Sequence, residues 1–549
     1  MIDLIKHQEW KKYIAAAAVF TVIFLLLEIY PSFTAANQSP YEGEVIEAGQ
    51  AEQLAVKFAE EQTGLSAVSA VAMHQSDKLV NGYLSKEKLI EDYEDSYDRA
   101  IPTDTYQVNM ELGQSSYHSF VYVHMYTKQI TGWNFILPGD RPDETDERQT
   151  LQRLLYSRDF KESETADLQR NEKGEWSVSP TGYGIGEAKL RIVMRSQLID
   201  GKAVVTEYKP AFVVPDSYVQ YVEDQDHLAK LLTNIGYLLM SIVLGILAIV
   251  YAILYRKHTS FKYGSWLTVI FFIAYLIMNL NVLKGIRASQ GETWMSDAVI
   301  VVTIVFTIIL AVPMAASIYF SMVAGDGLWK AQGRKLWPRL GQPGYGQYVW
   351  RSMGLAYLFA AILLGLQPLI FILLSNVIGT WGTSDVTMSP YNMSVLWLMP
   401  VLAWAAAISE EAVYRFFGIG LFRKWFRSTF IAALIPTLSW ALGHVMYPFY
   451  PATTRLIELM VIGLLFSFIF VKYGFITSMF THAIFNSVAV GSSLFMIGKP
   501  IDMISAAFFI ALPLFIAWLL RKLDRRRQGE AVVTSSGGVA LFNPNEKRE

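Results

Sequence analysis

No cysteine occurs among the 549 residues, which excludes disulfides, thiolate metal ligands, a cysteine nucleophile, S-acylation and iron–sulfur clusters. Charge is scarce as well. Asp, Glu, Lys and Arg make up 17% of the chain against 53% hydrophobic residues, a balance that excludes a water-soluble single domain. No basic stretch with interleaved aromatics is present, so nucleic acid is not an expected partner. His-Glu-x-x-His is absent, and with it the common zinc-protease helix. No internal repeat marks inverted transporter halves.

What the chain does have is apolar runs of roughly 17 to 28 residues, long enough to cross a bilayer. The first, 13–30, reads as a membrane helix. It is a poor cleavable leader, because only Ala35 and Ala36 offer small-residue cleavage positions. Nine more are placed at 230–254, 265–285, 297–323, 352–378, 392–421, 430–447, 455–472, 475–498 and 502–520. Between residues 31 and 227 stand 33 acids and 18 bases, whereas the remainder holds 15 acids and 28 bases. Lys and Arg of the later loops gather around 256–257, 330–339, 423–427 and 521–527, all on the side of the N-terminus if spans alternate. By the positive-inside rule that side is cytoplasmic, and the acidic segment lies outside.

These patterns predict an all-α polytopic protein of the plasma membrane, with about ten transmembrane helices and an inserted extracytoplasmic α+β domain. Its divisions are an anchor at 1–30, the acidic domain at 31–227, helices with a basic cytoplasmic loop at 228–345, a core at 346–522 and a disordered tail at 523–549. Within the acidic domain, 51–61 reads as an amphipathic helix. Segments 117–126, 190–198 and 203–214 read as strands, with Asp200-Gly201 as a hairpin turn. His74, His118 and His124 are scattered there and read as ordinary surface or sheet histidines.

Ionisable groups inside hydrocarbon cost roughly 2.5–3.5 kcal/mol each, so such groups are candidates for function. Glu410, Glu411 and Arg415 interrupt the apolar span 396–422. Glu411 and Arg415, four apart, share a helix face and can pair, while Glu410 points about 100° away and stays free. Two further apolar helices carry His444, and His482 with Asn486. Counted at 1.5 Å per residue from the cytoplasmic ends, Glu410 lies ~18 Å deep, His444 ~21 Å, His482 ~12 Å and Asn486 ~18 Å. The four therefore fall in one slab. A glutamate and a histidine around a water can make a nucleophile, and a second imidazole with an amide can hold the oxyanion of a tetrahedral intermediate. The bland alternative is a headgroup-level charge cluster with Arg415 snorkelling. Arg455 with Glu458 reads as an interfacial ion pair, and the 14 tryptophans as an interfacial belt.

Glu410-Glu411-x-x-x-Arg415, Trp440-x-x-x-His444 and His482-x-x-x-Asn486 together resemble the motifs of the CPBP intramembrane proteases, the CAAX proteases and bacteriocin-processing enzymes also grouped as Abi. The resemblance covers roughly residues 350–520. It implies an endopeptidase in which Glu410 and His444 activate water, His482 and Asn486 form the oxyanion hole, and Glu411 with Arg415 orients the site. It also implies a membrane-associated peptide or lipidated protein tail as substrate. Two positions depart from the family: Trp440 stands where phenylalanine is usual, and Phe416 where glycine often follows the arginine, which bears on how closely a neighbouring helix can approach. Glu410, His444 and His482 can serve a divalent metal such as zinc or work without one, and the residues leave both open. A proton-coupled transporter and a non-catalytic immunity or receptor protein on the same fold are the alternatives.

Overall fold

The structure, a computed structural model, describes residues 7–37, 41, 44–113, 117–172, 174–262, 264–342 and 344–536. Its apolar helices are α1 (Glu9–Ser32), α2 (Asp216–Leu254), α3 (Ser265–Asn281), α4 (Asp297–Ala331), α5 (Tyr345–Ile378), α6 (Leu396–Phe426), α7 (Thr429–Leu442), α8 (Thr453–Tyr473), α9 (Phe475–Ile497) and α10 (Pro500–Arg526). Eight of these are long and apolar enough to cross a membrane; α3 and α7 are shorter. The expected count of about ten thus divides into eight and two. At 14 residues, α7 is ~21 Å long, less than the ~30 Å of a hydrocarbon core. The last helix continues to Ser536, into the stretch expected to be a disordered tail, and 537–549 lie outside the described residues.

The segment between α1 and α2 is built on one antiparallel sheet. Its strands are β1 (Ala67–Ser76), β2 (Asp104–Leu112), β3 (His118–His124), β4 (Ile130–Ile136), β5 (Gln169–Arg170), β6 (Trp176–Val178), β7 (Gly184–Ile185), β8 (Ala188–Ile199) and β9 (Lys202–Val213). They lie in the order β1-β2-β3-β4-β9-β8-β6-β5, with β7 on β8. Asp200 and Gly201, with φ of 49° and 76°, form the tight β8–β9 turn that this dipeptide favours. Helices Ala48–Thr63 and Glu144–Ser157 bury Ala51, Ala55 and Ala59, and Leu151 and Leu155. In β2 every residue from Thr105 to Met110 is buried, although alternate residues point to opposite faces. The face turned from the domain's own apolar core meets the membrane helices' loops, where Gln107 donates to the Gly291 carbonyl.

That junction is polar and specific. Glu292, between α3 and α4, accepts from Tyr122 at 2.8 Å, Asn134 at 2.7 Å and Lys209 at 2.5 Å, and Trp294 stacks on His118. The edge strand β1 is closed by Asn392: its Oδ1 accepts from the His74 N–H and its Nδ2 donates to the His74 and Val386 carbonyls. A side chain here does what a neighbouring strand would otherwise do. His74 bridges Ser389 and Asp104, at 2.8 and 2.9 Å. Burial pushes the Asp104 carboxyl up, but the hydrogen bond and charge of His74, with the hydroxyls of Ser76 and Thr103, more than offset this and hold it below its ordinary value. Its contribution to stability is therefore full above about pH 3.9 and is lost only as pH falls through the lowered value. Asn392→Ala leaves two His74 backbone groups unpaired and is expected to cost about 1–3 kcal/mol. Hydrogen exchange at β1 checks this: amides as protected as in the wild type would refute it.

From this junction α4 runs ~52 Å to the far end of the bundle. There Lys330 and Arg339 pair with Asp326, and Lys472 with Glu9. The loops at 289–296, 379–395 and 447–452 all meet the sheet domain. Basic loop residues gather at the opposite end.

Candidate active site

Glu410 ends a regular α-helical stretch of α6, and Glu411–Ile419 continues as π-helix. Such widened turns concentrate at functional sites. The helix is pressed closely by α4: a Cβ on Gly325 would lie 2.8 Å from the Phe416 ring and 3.0 Å from its carbonyl oxygen, and the Trp329 indole donates to that carbonyl at 2.8 Å. The tight approach that glycine after the arginine would permit is here provided by a glycine on the facing helix.

Glu411 and Arg415 are 0% and 1% exposed, with Nη1 to Oε1 at 3.4 Å. Glu411 also accepts from the Ser478 hydroxyl at 2.5 Å and faces His482 Nδ1 at 3.0 Å. The Arg415 guanidinium lies 4.1 Å from the Trp440 ring centroid and 5.5 Å from that of Phe466, a cation–π sandwich in a desolvated place. Glu410 accepts a hydrogen bond from the Trp440 indole. Its carboxylate stands 3.9 Å from His444 Nε2 and 3.7 Å from His482 Nε2. Five of the six expected residues therefore converge. Asn486, one turn beyond His482, is half-buried and makes no side-chain hydrogen bond among the described residues.

His444 is not in a helix. α7 ends at Leu442, Gly443 caps it, and His444 opens the turn that leads to the sheet domain. Its Nδ1 is 2.9 Å from the Trp440 carbonyl. A carbonyl only accepts, so Nδ1 carries the proton and Nε2 presents a lone pair to Glu410. His482 likewise places Nδ1–H on Glu411. Two imidazole Nε2 atoms and a carboxylate thus face one small space. Among the described residues no three His, Asp or Glu side chains are arranged to hold a metal ion, and one oxygen of Glu410 is committed to Trp440.

Arg455 and Glu458 pair at 2.9 Å, and Gln367 donates to Glu458 at 2.9 Å. The pair lies near the start of α8, and Glu458 is fully enclosed by protein. Arg455 lies 5.1 Å from the Tyr447 ring, which stacks 5.6 Å from His444. Beside this chain of contacts runs a groove of about 1480 Å³, lined by Phe24 of α1, Leu364 and Phe371 of α5, Val488 and Phe495 of α9, and Arg455. Sequence spacing did not reveal Ser478, the Trp440–Glu410 bond or this groove. Each depends on which helices become neighbours.

Fold and site together define a largely helical, multi-span protein whose apolar helices carry an acid–base cluster. Residues 392–488 match the Rce1-like type II CAAX prenyl endopeptidase family. The chain thus carries an Rce1-like CAAX endopeptidase domain, of a protease family, and all six expected site residues fall inside it. No curated protein and no solved structure matches the chain.

Trp440→Phe keeps an aromatic face for Arg415 and deletes the N–H that holds Glu410. A hydrogen bond to a charged group contributes about 1.5–3 kcal/mol, so turnover is expected to fall about 10- to 100-fold. Steady-state kinetics decide it, and an unchanged kcat would show that the indole does not position the carboxylate.

Proposed function

We propose that this protein is an intramembrane endopeptidase that hydrolyses peptide bonds of membrane-associated peptides or protein tails, with its sheet domain on the extracytoplasmic side. The observation that carries the reading is the approach of His444 and His482 to within 3.9 and 3.7 Å of one Glu410 carboxylate, in a domain of a protease family. The sidedness rests on the acidic sheet domain and the basic opposite end.

Water between Glu410 and His444 gives its proton to Glu410 as its oxygen attacks the peptide carbonyl carbon. The carbonyl oxygen becomes an oxyanion, which accepts hydrogen bonds from His482 Nε2–H and the Asn486 amide. Collapse breaks the C–N bond, and Glu410 returns the proton to the leaving amine. For His482 to donate from Nε2 it must be an imidazolium, since Nδ1–H is engaged by Glu411. The groove opens between helices of the bundle, and apolar side chains in its lining suit a membrane-held chain.

Purified protein in nanodiscs, incubated with membrane-anchored peptides in H₂¹⁸O, is expected to give new N-termini and one solvent oxygen in each new carboxylate. No cleavage of any anchored peptide would overturn the proposal.

A further inference from the structure

At the end of the bundle opposite the sheet, the Trp329 ring is flanked by two guanidiniums, those of Arg334 and Arg423, each 5.4 Å from its centroid. Arg334 donates to the Val471 carbonyl at 2.5 Å. Arg423 Nη1 is shut away from solvent with no hydrogen-bond partner, and neither arginine has a carboxylate within ion-pair distance among the described residues. The nearby acid, Asp326, is already engaged by Lys330, Arg339 and the Thr259 hydroxyl. Burial and the neighbouring charge of Arg423 pull the Arg334 pKa below its usual value, which is the electrostatic cost of holding two like charges about one indole.

Two neighbouring guanidiniums without an acid, one of them with an unpartnered Nη1, match the charge of a phosphate, whose oxygens accept N–H bonds from arginine. The level of the site in the bundle indicates where such a phosphate would come from. Trp425, Phe426 and Leu340 around it are each about half exposed, as expected of side chains at a bilayer's headgroup boundary, where basic pockets between helices take anionic lipid heads. We propose that Arg334 and Arg423, both beside Trp329, bind a phosphate group, carried in the membrane by an anionic lipid. Because the Trp329 indole is bonded to the Phe416 carbonyl, one residue from Arg415, an occupant here also braces the π-helical turn of the candidate active site.

Native mass spectrometry of the full-length protein tests it, with phosphatidylglycerol, phosphatidylcholine and inorganic phosphate titrated separately. Phosphatidylglycerol is expected to bind at least about tenfold more tightly than phosphatidylcholine, and Arg334→Gln or Arg423→Gln to remove that preference. Lys424→Gln, on the Tyr251 and Tyr255 rings, is expected to leave it in place. Binding of inorganic phosphate with no lipid preference would keep the phosphate site and assign it to a free anion. Equal binding by wild type and both arginine variants would overturn it. Should the variants misfold, phenylglyoxal labelling of the wild type decides: phosphatidylglycerol or phosphate must protect Arg334 and Arg423 while phosphatidylcholine does not, and labelling unaffected by every additive refutes the site.

Discussion

Glu410→Gln is expected to yield a folded protein that inserts normally and cleaves at least about 10²- to 10⁴-fold more slowly. The amide keeps the shape of the side chain, and its carbonyl still accepts from the Trp440 indole, so packing around it changes little. What disappears is, among the described residues, the only carboxylate within 4 Å of both His444 and His482. A quenched membrane-anchored peptide, with thermal unfolding measured on the same preparation, separates loss of chemistry from loss of fold. Cleavage within a few-fold of wild type would remove Glu410 from the mechanism.

Glu411→Ala is expected to be the most destabilising single change in the candidate site. It leaves Arg415, 1% exposed, without its counter-charge and strips Ser478 and His482 of their acceptor. Breaking one partner of a buried pair costs about 3–5 kcal/mol. The paired replacement Glu411→Gln with Arg415→Met removes both charges and is expected to recover most of that stability. It is not expected to recover activity, because the carboxylate that holds the His482 ring through Nδ1 is gone. Thermal stability and cleavage measured on both variants test the two roles separately. If the double variant were as unstable as the single, the loss would come from packing rather than from the orphaned charge.

How far the sequence carries depends on whether a property belongs to one helix or to several. The Glu411–Arg415 pair and the placement of Asn486 one turn past His482 are set by spacing along a single rod, and polar residues in apolar runs stand out without any structure. The turn at Asp200-Gly201 is legible for the same reason, since its conformation is local. The limits lie where neighbours decide. Ser478 is an ordinary helix residue until α9 is laid beside Glu411, and Trp440 looks like any core aromatic until its N–H meets Glu410. Hydropathy extended α7 through His444 because the run stays apolar, yet the helix stops at Leu442 and the histidine stands in a turn. The spacing of Arg455 and Glu458 shows that they can pair, but not that Gln367, on another helix, donates to the same carboxylate. β2 shows the same effect in the sheet, where polar Gln107 and Asn109 are buried by loops from the membrane helices.

The turn that holds His444 is short and well tethered. Eight residues further on, the Ala452 N–H donates to Gln225, and between them Tyr450 donates to Asp226 and stacks on Trp381. Glu410, by contrast, is planted in the body of the bundle. Glu410 and His444 therefore hang from different supports, one planted in α6 and one leashed to the outer end of α2 and the 379–395 loop. Any displacement of one support relative to the other changes the 3.9 Å separation of the His444 imidazole from the Glu410 carboxylate.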